Sequence, residues 1–202
     1  QKPIAMFDMD GTLLDLAFDD FIWNECLPER HAQVHQCTLE QSKQTLFQFY
    51  QQHKHTLSWY SSAYWTTKVG VDVLQLQYEH RNKIKARSGC FELLEQLKQK
   101  GYRCWLLTNA DKAGLQLKLE NVALSPYFEL MISSEELGYA KEDVSFWREL
   151  QQLHPFDPTK AIFIDDTVAV LKGAESFGIS KLFSIVQPSS SKAPRNSNEL
   201  PY

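Results

Sequence analysis

The stretch Ile4-Ala5-Met6-Phe7-Asp8-Met9-Asp10-Gly11-Thr12 decides the fold. Its first four residues are an apolar run, which is typical of a strand that is buried on both faces of a parallel sheet. Asp8 and Asp10 come at the end of this run, and Gly11 allows the chain to turn directly after them. Ligands of open α/β sheets bind outside the carboxyl ends of the strands. The stretch therefore predicts a buried strand that ends at a polar site.

Further short apolar runs follow along the chain, at residues 104–108, 130–133, 161–165 and 182–186. Amphipathic segments alternate with them, and one of these ends at Gly178, a residue type that favours the left-handed cap of a helix. Alternating strands and helices predict an α/β fold, with a doubly wound parallel sheet of Rossmann-like type.

The segment after the first strand is poor in helix breakers. No proline occurs between Pro28 and Pro126, which indicates helical structure. The sequence Thr38-Leu39-Glu40-Gln41 is typical of a capping box at the start of a helix. We expect a second helix to open at Ser58.

These features divide the chain into a core, a cap and a tail. We expect the α/β catalytic core to comprise residues 1–15 and 87–186. An all-helical cap over residues 16–86 is inserted after strand one. Residues 187–202 are rich in serine and proline and are expected to form a loose C-terminal tail.

Composition excludes several classes of function. The 21 Lys and Arg against 25 Asp and Glu give a net charge of −4, which argues against binding of nucleic acid through its phosphates. No apolar run approaches the roughly 20 residues of a membrane helix, so no membrane partner is expected. The four cysteines are scattered without zinc-ligand spacing, which favours reduced thiols and a cytoplasmic location. The oligomeric state stays open.

Two carboxylates close together at the end of a buried strand are costly unless they share a cation, so Asp8 and Asp10 are candidate site residues. The alternative is a polar strand end followed by a common Asp-Gly turn. Asp165 and Asp166 follow another strand in the same way. They could cap the next helix, or they could face Asp8 and complete a hard-oxygen site for Mg²⁺.

Other candidates for the same edge of the sheet carry groups that can bind a phosphoryl oxygen. Thr108 and Asn109 offer a hydroxyl and an amide at a strand end, although Thr108 could equally cap a helix. Lys141 is expected at the start of a helix, where the dipole disfavours a cation. A local rule broken at such a position indicates function, whereas a solvated surface lysine is the ordinary alternative.

In their order along the chain, Asp8-x-Asp10-Gly11-Thr12, Thr108, Lys141 and Asp165-Asp166 resemble the motifs of the haloacid dehalogenase-like hydrolase superfamily. The resemblance covers the chain except its tail and includes the helical cap. A closer similarity is to the bacterial GMP/IMP 5′-nucleotidase branch, which usually has proline where this chain has Ala140. The resemblance implies a phosphoric monoester hydrolase.

The resemblance also implies a role for each motif. Asp8 would be the nucleophile, and Asp10 the general acid and base. Mg²⁺ would be held by the Asp8 carboxylate, the Asp10 backbone carbonyl and Asp166. Asp165 would orient Asp166 or serve as a ligand itself. The phosphate would be bound by Thr108, Asn109 and Lys141. True dehalogenases lack an acid at the Asp10 position, so carbon–halogen cleavage is not expected.

The substrate implied is a small-molecule phosphate ester, a purine nucleoside 5′-monophosphate of GMP/IMP type. Cap aromatics could stack on the base, or they could form the cap's own core; they are Trp23, Trp59, Tyr60, Tyr64 and Trp65. The alternatives are a phosphatase for a small sugar phosphate or phosphoglycolate, a phosphomutase, and a non-catalytic binding protein with the same fold.

Overall fold

The computed structural model describes residues 2–202 and has a sheet of five parallel strands. The strands are β1 Ile4–Phe7, β2 Arg103–Thr108, β3 Leu130–Ser133, β4 Ala161–Ile164 and β5 Lys181–Phe183, in the spatial order β3-β2-β1-β4-β5. The predicted α/β class is confirmed.

The register of the sheet brings three strand ends to one level. Phe7 pairs with Leu106 on β2 and with Ile164 on β4. The amide of Asp8 continues this ladder by donating to the Ile164 carbonyl at 3.0 Å. The residues that follow β1 and β4, and the last residue of β2, therefore lie together at the carboxyl edge.

A helical insertion connects β1 to β2, as the sequence predicts. It consists of α1 Ala17–Phe21, a π-helical segment Ile22–Cys26, α2 Leu27–His35, α3 Leu39–His53, α4 Ser62–Val69 and α5 Val73–Glu79, with 3₁₀ turns at Leu57–Tyr60 and Arg81–Lys83. The predicted capping box opens α3: the Thr38 hydroxyl accepts from the Gln41 amide, and the Gln41 side chain accepts from the Thr38 amide. None of the helices described could cross a membrane.

The remaining helices cover both faces of the sheet. They are α6 Cys90–Gln99, α7 Lys112–Asn121, α8 Ser134–Leu137, α9 Val144–Leu153 and α10 Val168–Phe177, with 3₁₀ turns at Ser125–Tyr127, Pro158–Lys160 and Ser197–Glu199. Phe7 packs in one hydrophobic cluster with residues of α6 and α7. Its neighbour Met6 packs in a second cluster with residues of α9 and α10. Successive strand residues point to opposite faces, so the sheet is doubly wound.

The predicted start of the second cap helix is wrong by one turn. Residues Leu57–Tyr60 form a 3₁₀ turn capped by Thr56, and Ser61 is extended. The Ser61 hydroxyl accepts from the Tyr64 amide at 3.1 Å, so α4 begins at Ser62. Ser58, the expected start, lies within the 3₁₀ turn.

The structure also differs from the expectation of a loose tail. Ser189 is buried and its hydroxyl donates to Asp20 at 2.7 Å. Arg195 donates through its guanidinium to the carbonyls of Asp166 and Ile185, and through its amide to that of Val186. These bonds hold residues 187–202 against the core and the start of the cap. β5 ends at Phe183 instead of Val186, because its partner strand β4 ends at Ile164, which pairs with Phe183.

Candidate active site

Lys141 lies at the centre of the site with 1% of its surface exposed. Its ammonium donates to Asp8 at 2.7 Å, to Asp165 at 2.7 Å and to the carbonyl of Leu107 at 2.9 Å. Burial acts to lower the pKa of this lysine, but the charges of Asp165 and Asp8 outweigh it and raise the pKa above its ordinary value. The lysine therefore stays charged.

The backbone of Lys141 lies in a turn between α8 and α9, and not at a helix start as predicted. The residue that caps α9 is Asp143, two positions further on. The turn is held by Asn109, whose Oδ1 accepts from the Lys141 amide at 2.9 Å, and by Trp147, whose indole donates to the Lys141 carbonyl at 2.9 Å. A Cβ at Gly173 of α10 would stand 2.8 Å from that carbonyl, so the close approach requires glycine.

Asp8, Asp165 and Asp166 form a cluster in which one carboxylate oxygen of each lies within 4.8 Å of the others. Burial, together with the charge of Asp8, raises the pKa of Asp165 to about 7. Burial and the charges of Asp8 and Asp165 also raise the pKa of Asp166. Lys141 offsets one of these three negative charges. The excess of hard oxygen donors fits Mg²⁺.

The alternative role for Asp165 and Asp166, as caps of the next helix, is wrong. The residue at the N-cap of α10 is Thr167, whose side chain makes no capping bond, and Asp165 accepts from the Thr167 amide at 2.8 Å. Gly11 leaves room for Asp166: its φ is +87°, and a Cβ there would stand 2.6 Å from an Asp166 oxygen. The Asp-Gly turn thus belongs to the carboxylate site.

We expect the metal-free protein to lose stability as the pH rises. In the unfolded chain Asp165 loses its proton at about pH 4, whereas in the folded protein it keeps the proton up to its pKa of about 7. Unfolding between these pH values therefore releases a proton, and the free energy of unfolding falls as the pH rises. Thermal unfolding in chelator should therefore show a Tm several degrees lower at about pH 8 than at about pH 5.

Mg²⁺ should raise this Tm, and more at the higher pH, because protons compete with the metal for the same oxygens. An equal Mg²⁺ effect at both pH values, or none, would contradict the assignment of the cluster as a metal site.

Thr108 and Asn109 stand where the sequence places them, at the end of β2. Thr108 is buried, and its hydroxyl accepts from the Ala110 amide at 3.0 Å. The cap of α7 is Asp111, so the alternative reading of Thr108 as a helix cap is wrong. Asn109 donates to Glu142 at 3.1 Å while accepting from the Lys141 amide, which joins β2 to the Lys141 turn.

The Asp10 carboxylate has a partner that the sequence motifs do not indicate. The ammonium of Lys118 on α7 donates to Asp10 at 2.6 Å and to both oxygens of Asp19 on α1 at 3.1 Å. Burial acts to lower the pKa of Lys118, but Asp10 and Asp19 outweigh it and raise the pKa to about 12. One signal was available: Lys118 lies four residues after Gly114 and three after Leu115, on the buried face of α7.

A cavity of about 380 Å³ opens over these residues, between the helical insertion and the sheet edge. Its floor includes the predicted site residues, which are Asp8, Asp10, Thr108, Asn109, Lys141, Asp165 and Asp166. Its wall includes four of the predicted aromatics, which are Trp23, Trp59, Tyr60 and Trp65. Tyr64 contacts His53 instead, with its hydroxyl 2.9 Å from Nε2.

The cap aromatics form a cluster of their own around Trp65. This side chain is completely buried, and Trp23, Tyr50, Trp59 and Tyr64 pack on it edge to face, with ring centroids 5.5–5.8 Å away. Trp65 is thus a core residue of the cap. Trp23, Trp59 and Tyr60 are half-buried and keep ring surface for a ligand.

The cap is also bonded to the sheet edge across this cavity. The Tyr60 hydroxyl donates to Glu142, the residue after Lys141. The Ser62 amide donates to Asp111 at 2.6 Å. Both contacts place the aromatic wall close to the carboxylate cluster.

Comparison with known proteins agrees with these features. A family model described as haloacid dehalogenase-like hydrolase matches residues 3–178. The chain is 34% identical to the GMP/IMP nucleotidase YrfG of Escherichia coli over 197 residues, which cover 98% of this chain and 89% of the relative. The protein of that name from Shigella flexneri matches equally.

A solved structure, the HAD phosphatase from Thermococcus onnurineus, has the same fold. It superposes with a TM-score of 0.79 over 97% of this chain and 92% of that one, at 17% identity. The family model and the similarity over nearly the full chain confirm the family that the motifs predict. The chain belongs to the haloacid dehalogenase-like hydrolase family, as a phosphoric monoester hydrolase.

Proposed function

We propose that the protein is a Mg²⁺-dependent phosphomonoesterase that hydrolyses purine nucleoside 5′-monophosphates of GMP/IMP type through an aspartyl-phosphate. The observation that carries this proposal is the Asp8 carboxylate, which is fixed by Lys141 beside Asp165 and Asp166 at the floor of a cavity with an aromatic wall. The similarity to GMP/IMP nucleotidases supports the substrate class.

In the first half of the reaction, an Asp8 oxygen attacks phosphorus and the bond from phosphorus to the ribose oxygen breaks. Asp10 gives its proton to the departing oxygen. In the second half, Asp10 takes a proton from water, the water oxygen attacks phosphorus, and the Asp8–phosphorus bond breaks. Inorganic phosphate leaves and both carboxyl groups return to their starting states.

The phosphoryl group needs charge neutralisation throughout. Lys141 supplies an ammonium that is already in place, and Thr108 and Asn109 supply polar groups at the same strand end, so little reorganisation accompanies the reaction. Asp8, Asp166 and the Asp10 carbonyl would hold Mg²⁺, which when bound neutralises phosphoryl oxygens further. Asp165 binds Lys141 and orients the cluster.

The base would lie on the aromatic wall. Trp23, Trp59 and Tyr60 are the residues with ring surface available, and a stacked base gains about 1–3 kcal/mol in comparable contacts. All four cysteines are free thiols, which supports a cytoplasmic enzyme.

A phosphate-release panel tests the substrate. We expect GMP and IMP to have the highest kcat/KM, above pyrimidine nucleotides, phosphoglycolate and hexose phosphates, and we expect activity to require Mg²⁺. Preference for phosphoglycolate or a hexose phosphate would assign the site to the small-phosphate alternative. Isomerised product without phosphate release would indicate a phosphomutase.

The Trp59→Leu variant connects the panel to the structure. We expect it to raise KM for GMP by about tenfold, the equivalent of one lost stacking contact, and to leave a small phosphate ester unaffected. The matched control is Phe47→Leu, which changes an exposed aromatic side chain on α3 of the same cap. Equal effects of Trp59→Leu on both substrates would argue against base stacking at this residue.

A further inference from the structure

We propose that Lys118 is a positioning residue that holds the Asp10 carboxylate in the orientation needed for proton transfer, with Asp19 of the cap as its second anchor. This inference rests on the proposed function, since it assigns to Lys118 a task that acts through Asp10. It adds a residue from α7 to the functional set.

The position of the Lys118 ammonium is determined from several sides. The side chain has 3% of its surface exposed, and the ammonium binds one Asp10 oxygen and both Asp19 oxygens. It also lies 4.8 Å from the centre of the Phe18 ring. Three directed contacts and a ring leave the ammonium little freedom, so the Asp10 oxygen at 2.6 Å is fixed as well.

The contact with Asp10 leaves the other oxygen of that carboxylate for the reaction. The Asp10 side chain is 21% exposed and lines the cavity, while its Oδ1 is bound to Lys118. Asp10 is not part of the cluster formed by Asp8, Asp165 and Asp166, so its side chain depends on Lys118 for support. Proton transfer requires the acid within hydrogen-bond reach of the departing oxygen. A carboxylate free to rotate would spend much of its time elsewhere.

Asp19 connects the pair formed by Lys118 and Asp10 to the cap. Asp10 belongs to the loop after β1, Lys118 to α7 in the core, and Asp19 to α1 at the beginning of the helical insertion. Lys118 therefore links Asp10, the proposed proton donor, to α1 of the cap through Asp19. Asp10 is correctly oriented when α1 is docked against α7.

The Lys118→Met variant tests the inference with two esters. A nucleoside monophosphate has a basic leaving oxygen that needs a proton, whereas an aryl phosphate such as p-nitrophenyl phosphate has a leaving group that departs without one. We expect kcat/KM, which reports transfer to Asp8, to fall about 10²-fold for the nucleotide and less than about threefold for the aryl ester. Lys112→Met is the matched control, an exposed lysine on the same helix.

Equal losses on the two esters would show a structural role and overturn the inference, and so would an unchanged nucleotide rate. If the single variant does not fold, the Asp10→Asn variant is compared with Asp10→Asn/Lys118→Met. Equal nucleotide rates support an action through Asp10, and a further loss contradicts it. A wild-type protein that hydrolyses neither ester would refute the proposed function itself, and this inference with it.

Discussion

Replacing Asp8 with asparagine is expected to abolish turnover and, at the same time, to stabilise the metal-free protein. The amide has no nucleophilic carboxylate oxygen, so phosphate release should fall by about 10⁴-fold or more. The stability effect has the opposite sign because Asp8 raises the pKa of both Asp165 and Asp166. Removal of its charge lets the neighbouring carboxylates ionise more easily. Lys141 keeps Asp165 as a partner.

The measurements are steady-state phosphate release, detection of a phosphorylated protein after acid quench, and thermal unfolding in chelator. Asp143→Asn is a suitable control, because it changes an exposed carboxylate two residues after Lys141 to a residue that caps a helix equally well. If Asp8→Asn kept the wild-type rate, the assignment of Asp8 as nucleophile would be wrong. If the wild type itself released no phosphate and formed no phosphorylated protein, the binding-protein alternative would gain support.

The opposite signs expected for activity and stability follow from how the site is built. Buried carboxylates near one another cost free energy in the folded protein, and this chain keeps three of them around one lysine. A protein selected only for stability has no reason to place them there. Carboxylates whose pKa values are shifted by burial and by like charges are typical of functional sites.

The parts of this fold that the sequence predicts well are those set by neighbouring residues. The apolar run before Asp8 forms β1, and all four of its residues are buried. Gly11 forms the turn because glycine readily adopts the positive φ that the chain has there. The capping box at Thr38 is likewise contained within four residues. In parallel sheets the carboxyl ends of the strands lie at the same edge. The sequence alone therefore predicts that Asp8, Thr108 and Asp165 lie close together.

What could not be predicted depends on contacts between distant segments. Lys118 meets Asp10 only because α7 packs beside the loop after β1, and its partner Asp19 lies on the inserted cap. The tail, residues 187–202, is held against the core by Arg195, which donates to the Asp166 and Ile185 carbonyls. A high content of serine and proline predicts a loosely packed segment. Composition does not predict that a single arginine in the segment binds two carbonyls of the core.

The position of Lys141 also depends on contacts between distant segments. The sequence singles the residue out because a lysine at a helix start is unusual, yet the helix begins later and the lysine is in a turn. Its actual setting depends on Trp147 and Asn109 binding its backbone and on Gly173 allowing close packing. The structure brings Lys141 to Asp8 and Asp165 at the carboxyl edge of the sheet, although the lysine does not lie at a helix start.

Replacing Lys141 with methionine is expected to damage both stability and activity. The change leaves Asp8 and Asp165 without their shared cation, and loss of one partner from a buried ion pair costs about 3–5 kcal/mol. Phosphate release should also fall by about 10²–10³-fold, because a donor aimed at the developing charge is lost. The loss of stability should be smaller at low pH, since Asp165, with a raised pKa, is then protonated.

The Lys141→Met/Asp165→Asn double variant separates the two effects. It removes one of the carboxylates that the single variant leaves uncompensated, so we expect its Tm to recover a substantial part of the loss. The rate should not recover, because the ammonium that neutralises the phosphoryl group is still missing. Urea unfolding and phosphate release, measured on wild type, single and double variants, give both quantities. A double variant that regained rate along with stability would show that Lys141 only supports the fold, and the assignment of its ammonium to phosphate binding would have to be abandoned.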